Sequence, residues 1–191
     1  AQKEELLPRL ARGEIRFAYG LSEPDIGADL ASVKTRAHID GDEVVLNGAK
    51  RWCTGADFAD YIYCLVNSAP EGQRYKNLSL VLVPRDTPGV TLSPIEHVNL
   101  RYTLSSDVYF DDARIPVQNI VGGQDAWNRG WPMLAGRTLD VEKLEVSAVA
   151  FGFAQAAVDE AWAYAQEREQ FGKPIAGHQT VAHTLVEART R

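Results

Sequence analysis

The sequence predicts an α+β chain: an antiparallel β-barrel domain followed by the first helices of a helical bundle. Three observations predict it. Up to about residue 124, short runs rich in β-branched and aromatic residues alternate with turn signals. From residue 139 to 166 there is no proline and one glycine, Gly152, and alanine dominates. The opening stretch 2–11 carries Leu6, Leu7 and Leu10 among solvated Lys3, Glu4 and Glu5, as the tail of another helix would. The chain therefore reads as the end of a helical domain at 1–15, a β-barrel domain at 16–123, and the start of a helical domain at 124–191. Both helical parts read as stumps of something larger.

Taken in order, the strand candidates are 32–39, 43–46, 50–53, 61–66, 78–83, 90–96 and 107–111. Asp40-Gly41-Asp42 is a hairpin-like turn between the first two, and Asn47-Gly48 is a second strong turn dipeptide. Pro84, Pro88-Gly89, Pro94 and Pro116 suit loops and sheet edges. In the helical part, Leu144, Ala148, Phe151 and Gln155 fall at helical spacing, but apolar residues occupy most other faces as well. Such a helix belongs inside a bundle or at a subunit interface. Lys173-Pro174 interrupts it, and 179–188 begins another helix.

Composition narrows the function classes. The 191 residues are 45% hydrophobic and 24% charged, which excludes disorder, collagen-like repeats and a long coiled coil. Twenty basic against 26 acidic residues leave a net charge of −6, which argues against a nucleic-acid scaffold. Cys53 and Cys64 give neither a disulfide framework nor a metal spacing, so they read as buried reduced thiols and no metal is expected. No stretch approaches the roughly 18 apolar residues of a membrane span. The expected setting is bacterial cytoplasm or mitochondrial matrix.

Three segments carry candidate chemistry. Ala18–Asp29 is a strand end entering a Pro- and Gly-containing loop, whose N–H groups suit an anion or ring carbonyl, or merely a connector. In Asn47-Gly48-Ala49-Lys50-Arg51-Trp52-Cys53-Thr54-Gly55, Trp52 and Thr54 lie two apart on a strand and share a face. That pairing suits stacking and one hydrogen bond to a flat heteroaromatic ligand, and equally a core tryptophan beside a backbone-satisfied threonine. Arg168-Glu169-Gln170-Phe171-Gly172-Lys173-Pro174-Ile175 reads as a fork of donors for phosphate or as a charged helix end with a Gly C-cap.

Together and in this order, these segments resemble the acyl-CoA dehydrogenase family. Ser22-Glu23-Pro24-Asp25-Ile26-Gly27-Ala28-Asp29 is similar to the first signature, and Asn47 through Thr54 to the Asn-Gly-x-Lys-x-Trp-x-Thr signature. Val108 through Pro116 resembles the strand leaving the β-domain, and Arg168 through Ile175 with Gln179 resembles a third signature. The resemblance implies an FAD enzyme that forms an α,β double bond in an acyl-CoA thioester. It puts Trp52 against the flavin ring and the Thr54 hydroxyl near N5. Leu21 and Ser22 would meet the pyrimidine edge, with Tyr19 flanking. Arg168, Phe171 and Gln179 would hold the pyrophosphate and adenosine of a neighbouring subunit's FAD in a homo-oligomer, a dimer or tetramer.

For the base that removes the α-proton, the resemblance allows Glu142, or a residue beyond Arg191. Ala28, Asp140 and Lys143 fall on the substrate side. Two of these positions depart from the family pattern, since Ala28 replaces a usual Ser and Lys143 a usual Arg, and 99–104 lacks the glycines its loop often carries. An electron-transferring flavoprotein or similar acceptor is implied as partner. The rival readings are a flavin oxidase or monooxygenase of the same fold, and a flavin-free structural subunit.

Overall fold

The computed structural model describes residues 2–98 and 103–190, without the side chains of Arg137 and Thr138. Positions 99–102 of the glycine-poor loop lie outside the described residues. The chain divides into two compact units, 1–135 and 136–191.

The first unit opens with helix α1 (Gln2–Ala11). The Gln2 side chain anchors it, donating to the carbonyls of Gln118 and Ile120 at 2.7 and 2.8 Å and accepting from the Gly122 N–H. Seven strands follow: β1 (Phe17–Gly20), β2 (Arg36–Asp40), β3 (Glu43–Thr54), β4 (Tyr61–Asn67), β5 (Leu78–Pro84), β6 (Val90–Ile95) and β7 (Ser105–Pro116). They form one curled half-barrel sheet in the order β1-β4-β2-β3-β7-β6, with β5 also on β4. Most pairings are antiparallel, but β1 runs parallel to β4, from Phe17 opposite Tyr61 to Gly20 opposite Cys64. The inner face buries Val44, Leu46, Cys53, Ile62, Cys64, Val66, Val81, Val83, Val108 and Ile115. Each such aliphatic side chain contributes about 1.5–3 kcal/mol. The unit closes with helix α2 (Gly130–Ala135), where Gly130 lies so close to the Ser79 backbone that a Cβ would meet it at 2.7 Å.

The expected strands recur with two corrections. The strand foreseen at 32–39 starts only at Arg36, because the N–H groups of Lys34 and Thr35 donate to the Glu23 carboxylate instead of to a neighbouring strand. Asn47-Gly48 is no turn: β3 runs straight through it for 12 residues. The register slips there, with Leu46 opposite Ala113 and Gly48 opposite Phe110, so β7 bulges at Asp111–Asp112. Asn47 serves that bulge, its side chain bonding both the carboxylate and the N–H of Asp112 at 2.8 and 3.0 Å. A long partner strand outweighs the local turn preference of the dipeptide. The other hairpin behaves as expected, with Gly41 at φ +64° between Asp40 and Glu43.

The second unit is helix α3 (Arg137–Glu167), a two-residue ribbon of β8 (Glu169–Gln170) and β9 (Lys173–Pro174), and helix α4 (Gln179–Thr190). Leu144, Val146, Val149, Phe151, Phe153 and Tyr164 of α3 are all exposed in the single chain, consistent with the all-round apolar pattern. The Gly C-cap alternative is corrected here. Helix α3 ends with Arg168 as its C-cap, while Phe171-Gly172 forms the ribbon's turn with φ +55° and +78°. Positive φ at both central positions is the type I′ requirement.

Candidate functional site

The site of the first unit is built on a second bulge. Lys50 pairs with Val108 and Cys53 with Ser106, so three steps along β3 oppose two along β7. The extra residue falls at Arg51–Trp52, and Trp52 takes φ +61°. Left-handed backbone at a bulky residue costs on the order of 1–3 kcal/mol and persists only where its surroundings impose it. The bulge resets the alternation of the strand. Lys50 and Cys53, three apart, both point inward, whereas Trp52 and Thr54 are both exposed. Trp52 is 54% exposed, and the Arg51 guanidinium lies over its ring at 5.1 Å while reaching Asp107 at 3.7 Å. Thr54 Oγ1 lies 2.9 Å from Ser105 Oγ.

The loop after β1 is tied to this bulge by residues that sequence reasoning did not single out. The buried Lys50 ammonium donates to the Glu23 carboxylate at 2.9 Å and to the Leu21 carbonyl at 3.2 Å. The Arg51 N–H donates to the Ser22 carbonyl at 2.8 Å. Burial alone would raise the Glu23 carboxyl, but the Lys50 charge and the donors from Lys50, Lys34 and Thr35 outweigh it and hold it below its ordinary value. No sequence signal marked it beforehand: by alternation Lys50 shares the parity of Trp52 and Thr54, and only the bulge separates the buried lysine from that exposed pair. The far end of the loop is held as well. Asp29 accepts from Ser32 Oγ at 2.6 Å and from Arg74 of the β4–β5 connection.

Tyr19 is half exposed on β1 and meets the Tyr63 ring edge-on at 5.8 Å. Burial, and secondarily Tyr19, pushes the Tyr63 hydroxyl up. Leu21 and Ser22 are half-buried, and Ala28 is exposed on the loop. The residues foreseen at Tyr19, Leu21, Ser22, Trp52 and Thr54 thus all belong to the first unit, four of them on segments joined by direct hydrogen bonds. They fit a flat heteroaromatic group: an exposed indole held on strained backbone, with a surface hydroxyl two residues on.

The second unit holds the remaining foreseen residues. Arg168 caps α3, and its carbonyl accepts from the Ile175 N–H at 2.8 Å, closing the ribbon beneath it. Phe171 is 93% exposed at the turn tip and touches the His178 ring edge-on at 5.9 Å. Gln179 is the exposed first residue of α4. A forked cation, a projecting aromatic ring and an amide suit a phosphate and a base. Glu142 is exposed on α3, and Lys143 donates to Asp140 at 3.1 Å one turn away. Among the described residues, no cluster of His, Cys, Asp or Glu could hold a metal ion, and no helix is long and apolar enough to cross a membrane.

Comparison with known proteins gives this geometry a family. Residues 18–113 match the model of the acyl-CoA dehydrogenase middle domain, and residues 128–191 that of the acyl-CoA dehydrogenase C-terminal domain. The Bacillus subtilis protein named "Probable acyl-CoA dehydrogenase YngJ" is 35% identical over 187 residues, covering 97% of this chain and 48% of that protein. The acyl-CoA dehydrogenase of Geobacillus kaustophilus superimposes with a TM-score of 0.93 at 33% identity, over 99% of this chain and 49% of that one. A glutaryl-CoA dehydrogenase from Mycobacterium smegmatis, solved in complex with FADH2, gives 0.83 at 33% identity over 97% and 46%. The chain spans about half the length of the relatives it matches. With both domain models matched in register along it, the chain belongs to the acyl-CoA dehydrogenase family.

Proposed function

We propose that the protein containing this chain introduces an α,β double bond into an acyl-CoA thioester with FAD as its cofactor. The observation that carries the reading is Trp52, an exposed indole on positive-φ backbone with the Thr54 hydroxyl beside it. When bound, FAD supplies the acceptor for the β-hydrogen, which leaves as hydride to N5. Trp52 lies against the ring and excludes water from one side of it. Thr54 donates toward N5, where a hydrogen bond favours the reduced ring. The Leu21 N–H and the Ser22 hydroxyl orient the pyrimidine edge, and Tyr19 flanks it.

Arg168, Phe171 and Gln179 hold the pyrophosphate and adenosine of FAD from a neighbouring copy, with Arg168 matching phosphate bidentately. That sharing requires a homo-oligomer, and the exposed apolar residues of α3 support one. Glu142 is one of the two candidates for the base that removes the α-proton, with Asp140 and Lys143 beside it on α3; Ala28, on the loop after β1, is a separate substrate-side position. An electron-transferring flavoprotein takes the electrons, in bacterial cytoplasm or mitochondrial matrix, and fatty-acid β-oxidation is the corresponding setting.

The test is anaerobic titration of the full-length protein with a panel of acyl-CoA thioesters, watching the flavin absorbance. Bleaching by at least one thioester, followed by slow reaction with oxygen, is the expected result. Failure to retain FAD, or rapid reoxidation by oxygen, overturns the reading. Near-normal turnover in E142Q removes Glu142 from the mechanism.

A further inference from the structure

We propose that Ser105 is a positioning residue that sets the direction of the Thr54 hydroxyl proton and thereby tunes the ring that Thr54 faces. This rests on the reading that Thr54 donates to a flavin, and it adds a residue which that reading does not contain. Thr54 ends β3, Ser105 begins β7, and the two are register partners with their hydroxyl oxygens 2.9 Å apart. Their surroundings differ: Ser105 is 9% exposed, whereas Thr54 is on the surface.

A hydroxyl has one proton to give and lone pairs to accept with. Among the described residues, Thr54 is the hydrogen-bond partner of the Ser105 side chain and no other bonds it. A buried O–H without an acceptor is costly, so Ser105 gives its proton to Thr54. Thr54 then accepts on its inner side, and its own proton is left for the exposed side. In the reverse arrangement the Ser105 proton would be stranded inside and Thr54 would turn lone pairs outward, disfavouring an electron-rich ring.

The bulge makes the pair possible. Continued without the extra residue at Arg51–Trp52, the pairing of Lys50 with Val108 would set Thr54 opposite Leu104. With it, Thr54 meets Ser105, and the Gly55 N–H donates to the Leu104 carbonyl at 2.8 Å to close the rung. One bulge thus both presents Trp52 and brings Thr54 to its orienting serine.

The experiment is spectroelectrochemical measurement of the flavin reduction potential in the full-length FAD-loaded protein, for S105A, S105T, T54V and S105A/T54V. S105A is expected to lower the stabilisation of reduced over oxidised flavin about tenfold, a fall of about 30 mV for a two-electron couple. S105T, which keeps a hydroxyl, is expected to restore most of it, and S105A is expected to add nothing in the T54V background. An unchanged potential in S105A beside a lowered one in T54V overturns the role of Ser105 and leaves the Thr54 reading standing. An unchanged potential in T54V overturns both. An equal fall from S105A with and without Thr54 marks a general structural effect and also overturns the proposal.

Discussion

Lys50 Nζ lies 2.9 Å from Glu23 Oε1, and both side chains are buried beneath the loop and strand that carry Ser22 and Trp52. Each partner makes further hydrogen bonds. The ammonium also reaches the Leu21 carbonyl, and the carboxylate also accepts from the N–H groups of Lys34 and Thr35. The pair joins two segments 27 residues apart in sequence into one surface. Removing one partner leaves the other as an uncompensated buried charge, which costs about 3–5 kcal/mol.

E23Q and K50M are therefore both expected to lower stability by several kcal/mol, on the order of that range. A pH dependence should accompany the loss. The folded-state pKa of Glu23 lies below its unfolded value, so its contribution is fully present above about pH 4.3 and fades as pH falls through the folded value. Urea unfolding of wild type and E23Q at pH 7 and below pH 4 checks this. The difference between the two proteins should shrink on acidification, and a constant difference would exclude the charge as its source.

Gly48 is the next point of sensitivity. Its φ of +143° and a Cβ position only 2.7 Å from the Thr35 Cα leave no room for a side chain. G48A should destabilise by about 3 kcal/mol, combining backbone strain with displacement of Thr35. Because the Thr35 N–H is one of the donors to Glu23, the flavin affinity of the loaded protein should fall with it. Equilibrium unfolding and FAD titration report the two effects separately.

Phe171 offers the opposite trade. A type I′ turn favours Asn-Gly, yet here a phenylalanine sits at φ +55° and 93% exposed. F171N should raise stability by about 1 kcal/mol through relief of strain. It should weaken FAD binding by about 1–3 kcal/mol through loss of a stacking surface. A melting curve of the protein without flavin and an affinity measurement with it decide the matter. Lower stability together with unchanged affinity would show that the ring serves packing.

The thiols should be silent. Burial pushes Cys53 up to about 12, with Cys64 adding to it, and pushes Cys64 up to about 11. At pH 8 the thiolate of Cys64 is about one part in a thousand, and both sulfurs are shielded from solvent. Reaction with a disulfide reagent should appear only on denaturation, when both thiols titrate together.

Much of this was legible in the residues themselves. The short apolar runs at 61–66 and 78–83 and the proline-free, alanine-rich stretch at 139–166 determined their elements, because local composition and run length already separate strand from helix there. The signature segments around Ser22, Trp52 and Arg168 determined the family, since their order along the chain is a property of sequence alone. Tertiary structure decided what local preference could not. Asn47-Gly48 is a turn by propensity and a strand by pairing, because β7 offers a partner along its whole length. The bulge at Trp52, the burial of Lys50 on Glu23 and the meeting of Thr54 with Ser105 all depend on how β3 is matched to β7 and to the loop after β1. Register is set by contacts between residues far apart in the chain, so no local pattern contains it.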